Sequence, residues 1–381
     1  MLWYKLKKMI SFFSYFVILK MIPGPKNLRE CEKTLSVVFL GALGDFFVFL
    51  KTAEQLSKKG WGIILVCRCE TGIGEIAKKS GFFSEIIIID NRYLCRIKNL
   101  CILHKIKCNY VFAAPISRYV LYDIYSLCVS ANIHILPDCE FGCVSKKLKH
   151  IADKKADMLV PVKEKWEWEK YALFLERGGL VDKYIPPCFA PLDLKNRENM
   201  VAIFPGASVK EKCWNVKDFA WVINKIVQYC GCSVLIMGGP SDLAVGKELE
   251  RELKKFECTG VELICSKTNV IQSIEYIKQC RLVISNDSGA AHMGIYCGTP
   301  TVVISGWWQY GRFFPNDKLP NYCITVICED FNKACKLCNK SIPDCKGGKY
   351  AAECISAINR NSVFLAAQKL LKDNLNGKGR L

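Results

Sequence analysis

The chain has 381 residues and a formal net charge of +18 at pH 7, and 51% of its residues are hydrophobic. This length suits two domains of ordinary size, and the hydrophobic fraction excludes a disordered protein. The charge predicts an anionic partner. Because the sequence shows no basic stripe interleaved with aromatic residues, a membrane surface or an anionic substrate is favoured, and no nucleic-acid partner is expected.

The chain begins with an apolar segment, which runs from Met9 to Leu19 behind three lysines. It is shorter than the roughly 20 residues needed to span a bilayer, and no small-residue cleavage site follows it. Residues 1–30 are therefore predicted to form an N-terminal amphipathic segment whose helix lies on the cytoplasmic leaflet of a membrane. The alternatives are a helix packed on the following domain and an uncleaved anchor.

Twenty-three cysteines are scattered through the predicted strands, helices and loops. A secreted disulfide scaffold is usually small and loop-rich, whereas this chain has enough apolar residues to build a core. We therefore expect mostly reduced thiols and a cytoplasmic location.

Short apolar runs alternate with helical segments along the rest of the chain, which predicts parallel sheets covered by helices on both faces. The expected fold class is α/β, with two doubly wound, Rossmann-like domains at residues 31–188 and 189–381 and a hinge near Pro186–Pro191. The strands predicted in the first domain are 35–40, 62–67, 85–90, 109–114 and 132–136. Those predicted in the second are 200–204, 233–237, 261–264, 282–285 and 301–304.

The first predicted strand ends in L-G-A-L-G-D, which places Gly44 and Asp45 at the carboxyl edge of a sheet, where a helix begins. Glycines at such a turn let backbone or ligand approach closely. The third glycine of a dinucleotide fingerprint is absent, so no dinucleotide is inferred. Asp45 is either a general base facing an interdomain cleft or a residue that stabilises the helix N-terminus.

Two turns of the second domain carry further candidates. Lys212 follows F-P-G-A-S and can meet a phosphate as a point charge, although a solvated surface lysine is the alternative. Asp242 ends M-G-G-P-S-D, at a position where a carboxylate can accept hydrogen bonds from ribose hydroxyls. For Asp242 the alternative is a simple helix cap.

The most informative motif is S-N-D-S-G-A-A-H, which joins an apolar run to a helix rich in small residues. The turn at Asp287, Ser288 and Gly289 offers a hydroxyl and backbone N–H groups at a helix N-terminus, where a phosphate is readily bound. The motif therefore predicts a diphosphate site, whereas D-S-G alone would fit an ordinary capped turn. His292 either orients this loop or packs inside its helix.

Together these segments resemble the heptosyltransferase family, glycosyltransferase family 9, over roughly residues 35–358. The shared motifs are F-L-G-A-L-G-D, P-G-A-S-x-x-x-K-x-W at 205–214, and N-D-S-G-A-A-H-M-G followed by G-T-P-T-V-V-I-S-G. The resemblance implies a GT-B type fold. It also implies inverting transfer of a sugar from a nucleotide-sugar donor, usually ADP-heptose, to an acceptor hydroxyl.

By the same resemblance, Asp45 is the catalytic base, and Ser208, Lys212 and the turn at 287–289 bind the donor diphosphate. Asp242 stands where the family often has a glutamate for the ribose, which is a departure from its pattern. Since no D-x-D pair lies beside the phosphate candidates, we expect that catalysis requires no metal or other cofactor, and that Lys212 and backbone amides stabilise the leaving diphosphate.

The expected acceptor is an acidic or lipid-linked glycan, such as the inner core of lipopolysaccharide. The protein would then be cytoplasmic and peripheral to the inner face of the inner membrane. Two alternatives stay open, namely a heptosyltransferase that modifies a protein and an inactive nucleotide-sugar-binding scaffold.

Four cysteines near the C-terminus, Cys335, Cys338, Cys345 and Cys354, have the spacing C-x2-C-x6-C-x8-C. Such a set can form a tetrahedral thiolate site, and the resemblance to iron-containing protein heptosyltransferases supports a structural Zn or Fe there. The alternative is a chance grouping in a cysteine-rich chain.

Overall fold

The computed structural model describes residues 14–22, 33–90, 92, 95–114, 116–139, 145–192, 194, 197–307, 310–329 and 353–376. Contacts between residues within the chain fall into two compact units, Met1–Pro187 and Cys188–Leu381. Each unit is described by itself below.

Unit 1 alternates helices and strands. Its strands are β1 (Thr34–Phe39), β2 (Gly62–Arg68), β3 (Glu85–Ile89), β4 (Lys107–Ala114), β5 (Ser130–Asp138) and β6 (Met158–Pro161). Its helices are α1 (residues 14–21), α2 (Leu43–Lys58), α3 (Ile73–Ser80), α4 (Arg96–Lys105), α5 (Val120–Cys128), α6 (Lys146–Asp153) and α7 (Glu167–Arg177).

The six strands of unit 1 form one parallel sheet in the order β3-β2-β1-β4-β5-β6. Helices cover both faces, as the alternating residues of β4 show. Phe112 contacts Phe49 of α2 and Phe174 of α7, whereas Val111 belongs to the core that includes Tyr125 of α5. A strand buried on both faces explains why the sequence reads as continuous apolar runs.

Helix α1 packs on unit 1. Leu19 is fully buried and Ile22 is also buried in the core shared with α4 and α5, and the Lys155 ammonium donates to the backbone oxygen of Ile22. This packing agrees with the alternative of a helix packed on the following domain for residues 14–22. Residues 1–13 and 23–32 lie outside the described residues. None of the helices described is long and apolar enough to cross a bilayer.

Unit 2 repeats the alternation. Its strands are β7 (Glu198–Phe204), β8 (Ser233–Ile236), β9 (Val261–Leu263), β10 (Cys280–Asn286), β11 (Thr301–Ile304) and β12 (Cys323–Val326). Its helices are α8 (Val216–Cys230), α9 (Leu243–Lys254), α10 (Val270–Gln279), α11 (Gly289–Tyr296), α12 (Glu353–Ser356) and α13 (Arg360–Asn376).

The strands of unit 2 also form one parallel sheet, in the order β9-β8-β7-β10-β11-β12. Numbered within each unit, both sheets have the order 3-2-1-4-5-6 of a doubly wound, dinucleotide-binding fold. On one face of the second sheet, α8, α9 and α13 close a core around Ile203, Ile284 and Ile304. The predicted α/β class with two Rossmann-like sheets is confirmed.

Each unit also contains elements that the apolar pattern did not predict, among them β6 and α6 in unit 1 and β12 in unit 2. Strand β6 is short, lies at the edge of its sheet and ends at Pro161, which cannot donate a ladder hydrogen bond. Helix α6 has the largely basic sequence KKLKHIAD and buries only Leu148 and Ala152. Edge and surface elements bury few side chains, so their periodicity is weak.

Candidate active site

The strand order reverses direction at one point in each sheet, between β1 and β4 in unit 1 and between β7 and β10 in unit 2. Ligands of open α/β sheets bind outside the carboxyl ends of the strands at such a switch point, because the adjacent loops leave in opposite directions. Most of the residues singled out from the sequence lie in the loops that follow these four strands.

In unit 2, Lys212 reaches across the switch point from the loop after β7. It ends a 3₁₀ turn at Lys210–Lys212, and its side chain is 14% exposed. Its Nζ atom lies 3.4 Å from both Oδ2 and the backbone oxygen of Asp287, which follows β10. Because Asp287 is buried, this contact keeps the ammonium next to the N-terminus of α11.

Asn286, which sequence reasoning did not single out, joins the same two loops. It is fully buried, its Oδ1 accepts from the Trp214 backbone N–H at 3.0 Å, and its Nδ2 donates to the Pro205 oxygen at 2.8 Å. Both partners are backbone groups that need hydrogen bonds when buried. The amide therefore sets the spacing of the loops that present Lys212 and Asp287. Its position beside D-S-G is the only signal in the sequence.

The turn after β10 ends in a capped helix. Ser288 is the N-cap of α11, and its Oγ accepts from the Ala290 N–H at 3.3 Å and lies 3.1 Å from Ser285 Oγ. Gly289 begins the helix. Glycine is required further along at Gly294, where a Cβ would lie 2.4 Å from Thr301 Oγ1, so the small residues allow α11 to approach β11 closely.

His292 lies inside α11 and contacts Phe313 and Phe314, with ring centroids 5.2 and 4.9 Å away. Burial and, to a smaller extent, the positive charge of Lys212 together lower its pKa to about 3. The imidazole is therefore neutral at physiological pH. The two phenylalanines were also not singled out from the sequence.

Asp242 ends a 3₁₀ turn at Pro240–Asp242, and its Oδ2 accepts from the Gly239 N–H at 2.9 Å. The Asp242 side chain occupies the space where Gly206 and Gly238 would otherwise have room for a Cβ atom. A Cβ on Gly206 would lie 2.2 Å from Asp242 Oδ1, and one on Gly238 would lie 2.7 Å from Asp242 Cβ. Asp242 therefore caps its own turn and also touches the loop that carries Ser208, whose side chain is exposed.

In unit 1, Asp45 lies in the first turn of α2, directly after β1. Its Oδ2 accepts from the Ala42 N–H at 3.2 Å, while Gly44 is half-buried. Arg68 donates to the oxygen of Gly41 in the same turn at 3.1 Å. Burial raises the pKa of Tyr122, the negative charge of Asp45 raises it further, and the charge of Arg68 lowers it. A carboxylate, a phenol and a guanidinium thus lie near this switch point.

The predicted cysteine site lies mostly outside the described residues, since only Cys354 belongs to them, where it is buried against α13. Elsewhere in the described chain, ligand atoms of Cys69, Glu70 and Asp90 lie within 4.8 Å of one another. Arg92 already pairs with the Asp90 carboxylate, and the hydrogen bonds from Arg92 hold the pKa of this carboxyl well below its usual range. We assign no metal to this group.

The structure therefore brings Lys212, Asp287 and Ser288 together in unit 2, with Asn286 as the residue that joins their loops. Asp242 and Ser208 lie on neighbouring loops of the same sheet edge, and Asp45 lies at the corresponding edge of unit 1. A cation, capped helix N–H groups and a buried carboxylate at one sheet edge form a site suited to an anionic ligand.

Comparison with known proteins shows a similarity to one family of glycosyltransferases. Residues 181–338 match the sequence model of glycosyltransferase family 9 (heptosyltransferase). Lipooligosaccharide heptosyltransferase 2 of Campylobacter jejuni is 25% identical over 311 residues, which cover 77% of this chain and 85% of that protein.

Two solved structures show the same fold. Escherichia coli ADP-heptose lps heptosyltransferase II matches with a TM-score of 0.65 and 15% identity, over 89% of this chain and 99% of the other. E. coli heptosyltransferase WaaC, solved with ADP, matches with a TM-score of 0.62 and 12% identity, over 90% of this chain and 99% of the other. The predicted resemblance is thereby confirmed: the chain is similar to the heptosyltransferases of glycosyltransferase family 9, and it is a transferase.

Proposed function

We propose that the protein transfers a heptose from ADP-heptose to a hydroxyl of an acidic glycan, with inversion at the anomeric carbon. The observation that carries the donor half of this proposal is the contact of Lys212 with Asp287 beside the capped N-terminus of α11. The nucleotide is supported by the similarity to a heptosyltransferase solved with ADP. Lipooligosaccharide is named in the Campylobacter relative, which supports an acceptor in the lipopolysaccharide inner core.

The donor diphosphate would bind where Lys212 and the first N–H groups of α11 converge. In this proposal Lys212 and the amides of Ser288 and Gly289 contact phosphate oxygens. The hydroxyl of the exposed Ser208 lies at the solvent-facing edge of the same site. Asp287 acts through Lys212, because a carboxylate that faced the diphosphate directly would repel it. The α11 dipole adds to the attraction without any rearrangement during the reaction.

The ribose would lie beside Asp242. Its carboxylate accepts from Gly239 and, at 3.5 Å, from the Ser241 hydroxyl, and each carboxylate oxygen has a further lone pair. Those remaining lone pairs are suited to a ribose hydroxyl. Glutamate is longer, so the shorter aspartate places the nucleotide closer to the loop at Gly206.

The acceptor hydroxyl would be activated by Asp45. As the bond forms between the acceptor oxygen and the anomeric carbon, its proton passes to the Asp45 carboxylate, and the bond from that carbon to the phosphate oxygen breaks. The electron pair leaves with the diphosphate, whose charge Lys212 stabilises. One displacement inverts the anomeric configuration. The Ala42 N–H bond holds the carboxylate at the edge of β1 before substrate arrives.

We further propose that the protein works at the cytoplasmic face of the inner membrane. The support is the net charge of +18, the N-terminal apolar segment with its lysines, and a lipid-linked acceptor. Anionic headgroups at this surface would attract the chain electrostatically.

The deciding experiment uses the purified full chain with ADP-heptose and a heptose-deficient inner-core acceptor. We expect release of ADP together with a glycosylated product whose anomeric configuration is opposite to that of the donor, as read by nuclear magnetic resonance. Transfer to a protein acceptor alone would replace the proposed acceptor. Binding of ADP without transfer or donor hydrolysis would favour the scaffold alternative.

A further inference from the structure

An apolar groove of about 910 Å³ lies on unit 1, away from the carboxyl edge that holds Asp45. Helices α1 and α4 form its sides, and the end of α5 with the start of β5 forms its floor. Its apolar lining includes Ile18, Met21, Ile97, Leu100, Leu127 and Val129. This volume lies in the range of about 300–1,000 Å³ typical of sites that bury a small organic ligand.

Several polar side chains of the groove use their hydrogen-bonding groups within the protein. Ser130 Oγ donates to the His104 backbone oxygen at 2.8 Å. The ring of His134 bonds the Val129 oxygen at 3.0 Å and Asp157 at 3.2 Å. Burial raises the pKa of the Cys128 thiol to about 12, so it is neutral. The floor therefore presents hydrocarbon, and a polar occupant would lose its hydration there without compensation.

Two large apolar side chains at the groove are unusually exposed. Met21 of α1 is 77% exposed and Ile97 of α4 is 75% exposed, the largest values among the large hydrophobic residues described. They come from different helices and line one groove, so they belong to one patch. A contiguous apolar patch of this kind marks a binding surface more often than scattered exposed residues do.

Basic groups surround this patch. His104 and Lys105 line the end of the groove at the C-terminus of α4, and exposed Lys20 and Lys98 stand next to Met21 and Ile97 in sequence. Neither residues 14–22 nor α4 contains an aspartate or a glutamate. The sides of the groove formed by α1 and α4 are therefore positive, which complements an apolar molecule with an anionic head.

We propose that this groove binds one acyl chain of an anionic phospholipid at the bilayer surface, with the lipid phosphate beside His104 and Lys105. The inference rests on the proposed membrane association and adds a defined lipid site to it. Met21 and Ile97 would enter the acyl region while the lysines contact headgroups, as in an interfacial helix. Unit 1 would dock through the faces of α1 and α4.

The first test measures binding of the full chain to vesicles of phosphatidylglycerol with phosphatidylcholine, against vesicles of phosphatidylcholine alone. Ile97→Glu and Met21→Glu should each weaken binding to the anionic vesicles by roughly tenfold, because an apolar side chain that would enter the acyl region is replaced by a charge. Leu365→Glu is the matched control, since Leu365 is an exposed residue of α13, 59% exposed, remote in sequence from the groove. Ile97→Leu should retain binding.

The second test uses dihexanoyl phosphatidylglycerol below its micelle concentration, with native mass spectrometry as the readout. We expect one saturable lipid per chain, lost in Ile97→Glu and weakened in Lys105→Gln. Unchanged binding in the groove variants would overturn the proposal. Vesicle binding that is lost only on deletion of residues 1–13 would assign the contact to that segment instead. ADP affinity, measured in every variant, should stay constant. A negative result for lipid binding is then distinguishable from a negative result for the transfer reaction.

Discussion

The Nζ atom of Lys212 lies 3.4 Å from the carboxylate of Asp287, across the point where the strand order of the second sheet reverses. The two residues are 75 positions apart, and each follows a different central strand. A buried carboxylate thus holds a cation at the end of a helix that itself attracts anions. The predictions for the donor begin from this pair.

Lys212→Ala should weaken ADP binding by roughly 10- to 100-fold, because a charge-assisted contact with the diphosphate is lost. Isothermal titration calorimetry at two salt concentrations checks this, and the variant should show a smaller salt dependence than the wild type. Lys247→Ala, which changes an exposed lysine of α9, is the control. Equal ADP affinity in wild type and Lys212→Ala would move the diphosphate elsewhere.

Asp45→Asn should reduce turnover by about 10²–10⁴-fold and leave ADP affinity nearly unchanged, because asparagine cannot accept the acceptor proton. Asparagine can still accept the Ala42 N–H bond, so the start of α2 should stay intact. Steady-state kinetics and thermal melting separate the two effects. Asp182→Asn, an exposed carboxylate of the same unit, should keep normal turnover. Near-normal turnover in Asp45→Asn would exclude the role of base.

Gly206→Ala should displace Asp242, since the new Cβ would lie 2.2 Å from its Oδ1. We expect roughly tenfold weaker binding of ADP and AMP, with inhibition by inorganic pyrophosphate unchanged, because in the proposed complex Asp242 contacts the ribose and not the diphosphate. The matched control is Gly239→Ala, whose Cβ would lie 3.9 Å from Asp242 Oδ2, an ordinary contact. If both variants bind ADP like the wild type, Asp242 does not hold the ribose.

His292 should make the stability of the protein depend on pH. Its folded pKa, about 3, lies below the unfolded value of about 6.5, so between these values the unfolded chain binds the extra proton. The stability is fully present above pH 6.5 and is lost as the pH falls, with a slope approaching about 1.4 kcal/mol per pH unit. Urea denaturation of wild type and His292→Gln checks this. The difference between the urea midpoints of wild type and His292→Gln should become smaller as the pH falls. His150→Gln, which changes another histidine, is the control. A constant difference from pH 7 to pH 5 would contradict the buried, neutral state.

The central strands were predictable because they are buried on both faces and therefore read as continuous apolar runs. The helices that directly follow them were predictable as well. The sequence predicts helices at 216–230 and 289–296, and α8 and α11 have these bounds, since Asn215 and Ser288 cap them and glycines follow within two residues. The helix that the sequence predicts after β1, at 46–57, is shorter than α2, which starts at Leu43. The helices from α4 to α7 were not predicted, because their surfaces are more mixed and their periodicity is weak.

The candidate site was predictable where its functional groups belong to one short sequence motif. D-S-G predicts the capped turn that the structure contains, and Lys212 was found by its position in P-G-A-S-x-x-x-K-x-W. The contact between Lys212 and Asp287 needs the fold, because no local pattern joins positions 212 and 287. The same holds for the contacts of Asn286, because its partners are backbone groups of another loop, which no residue type marks in the sequence.

The shared strand order of the two sheets has a consequence for how this enzyme can evolve. Each unit has its own hydrophobic core and its own reversal point, and no side chain of the donor candidates belongs to unit 1. In the proposed reaction, substitutions around Asp45, Arg68 and Tyr122 would therefore change which hydroxyl is accepted while the nucleotide contacts persist. We expect relatives with new acceptors to diverge mainly in the first half of the chain, with the second half acting as an inherited nucleotide-holding module.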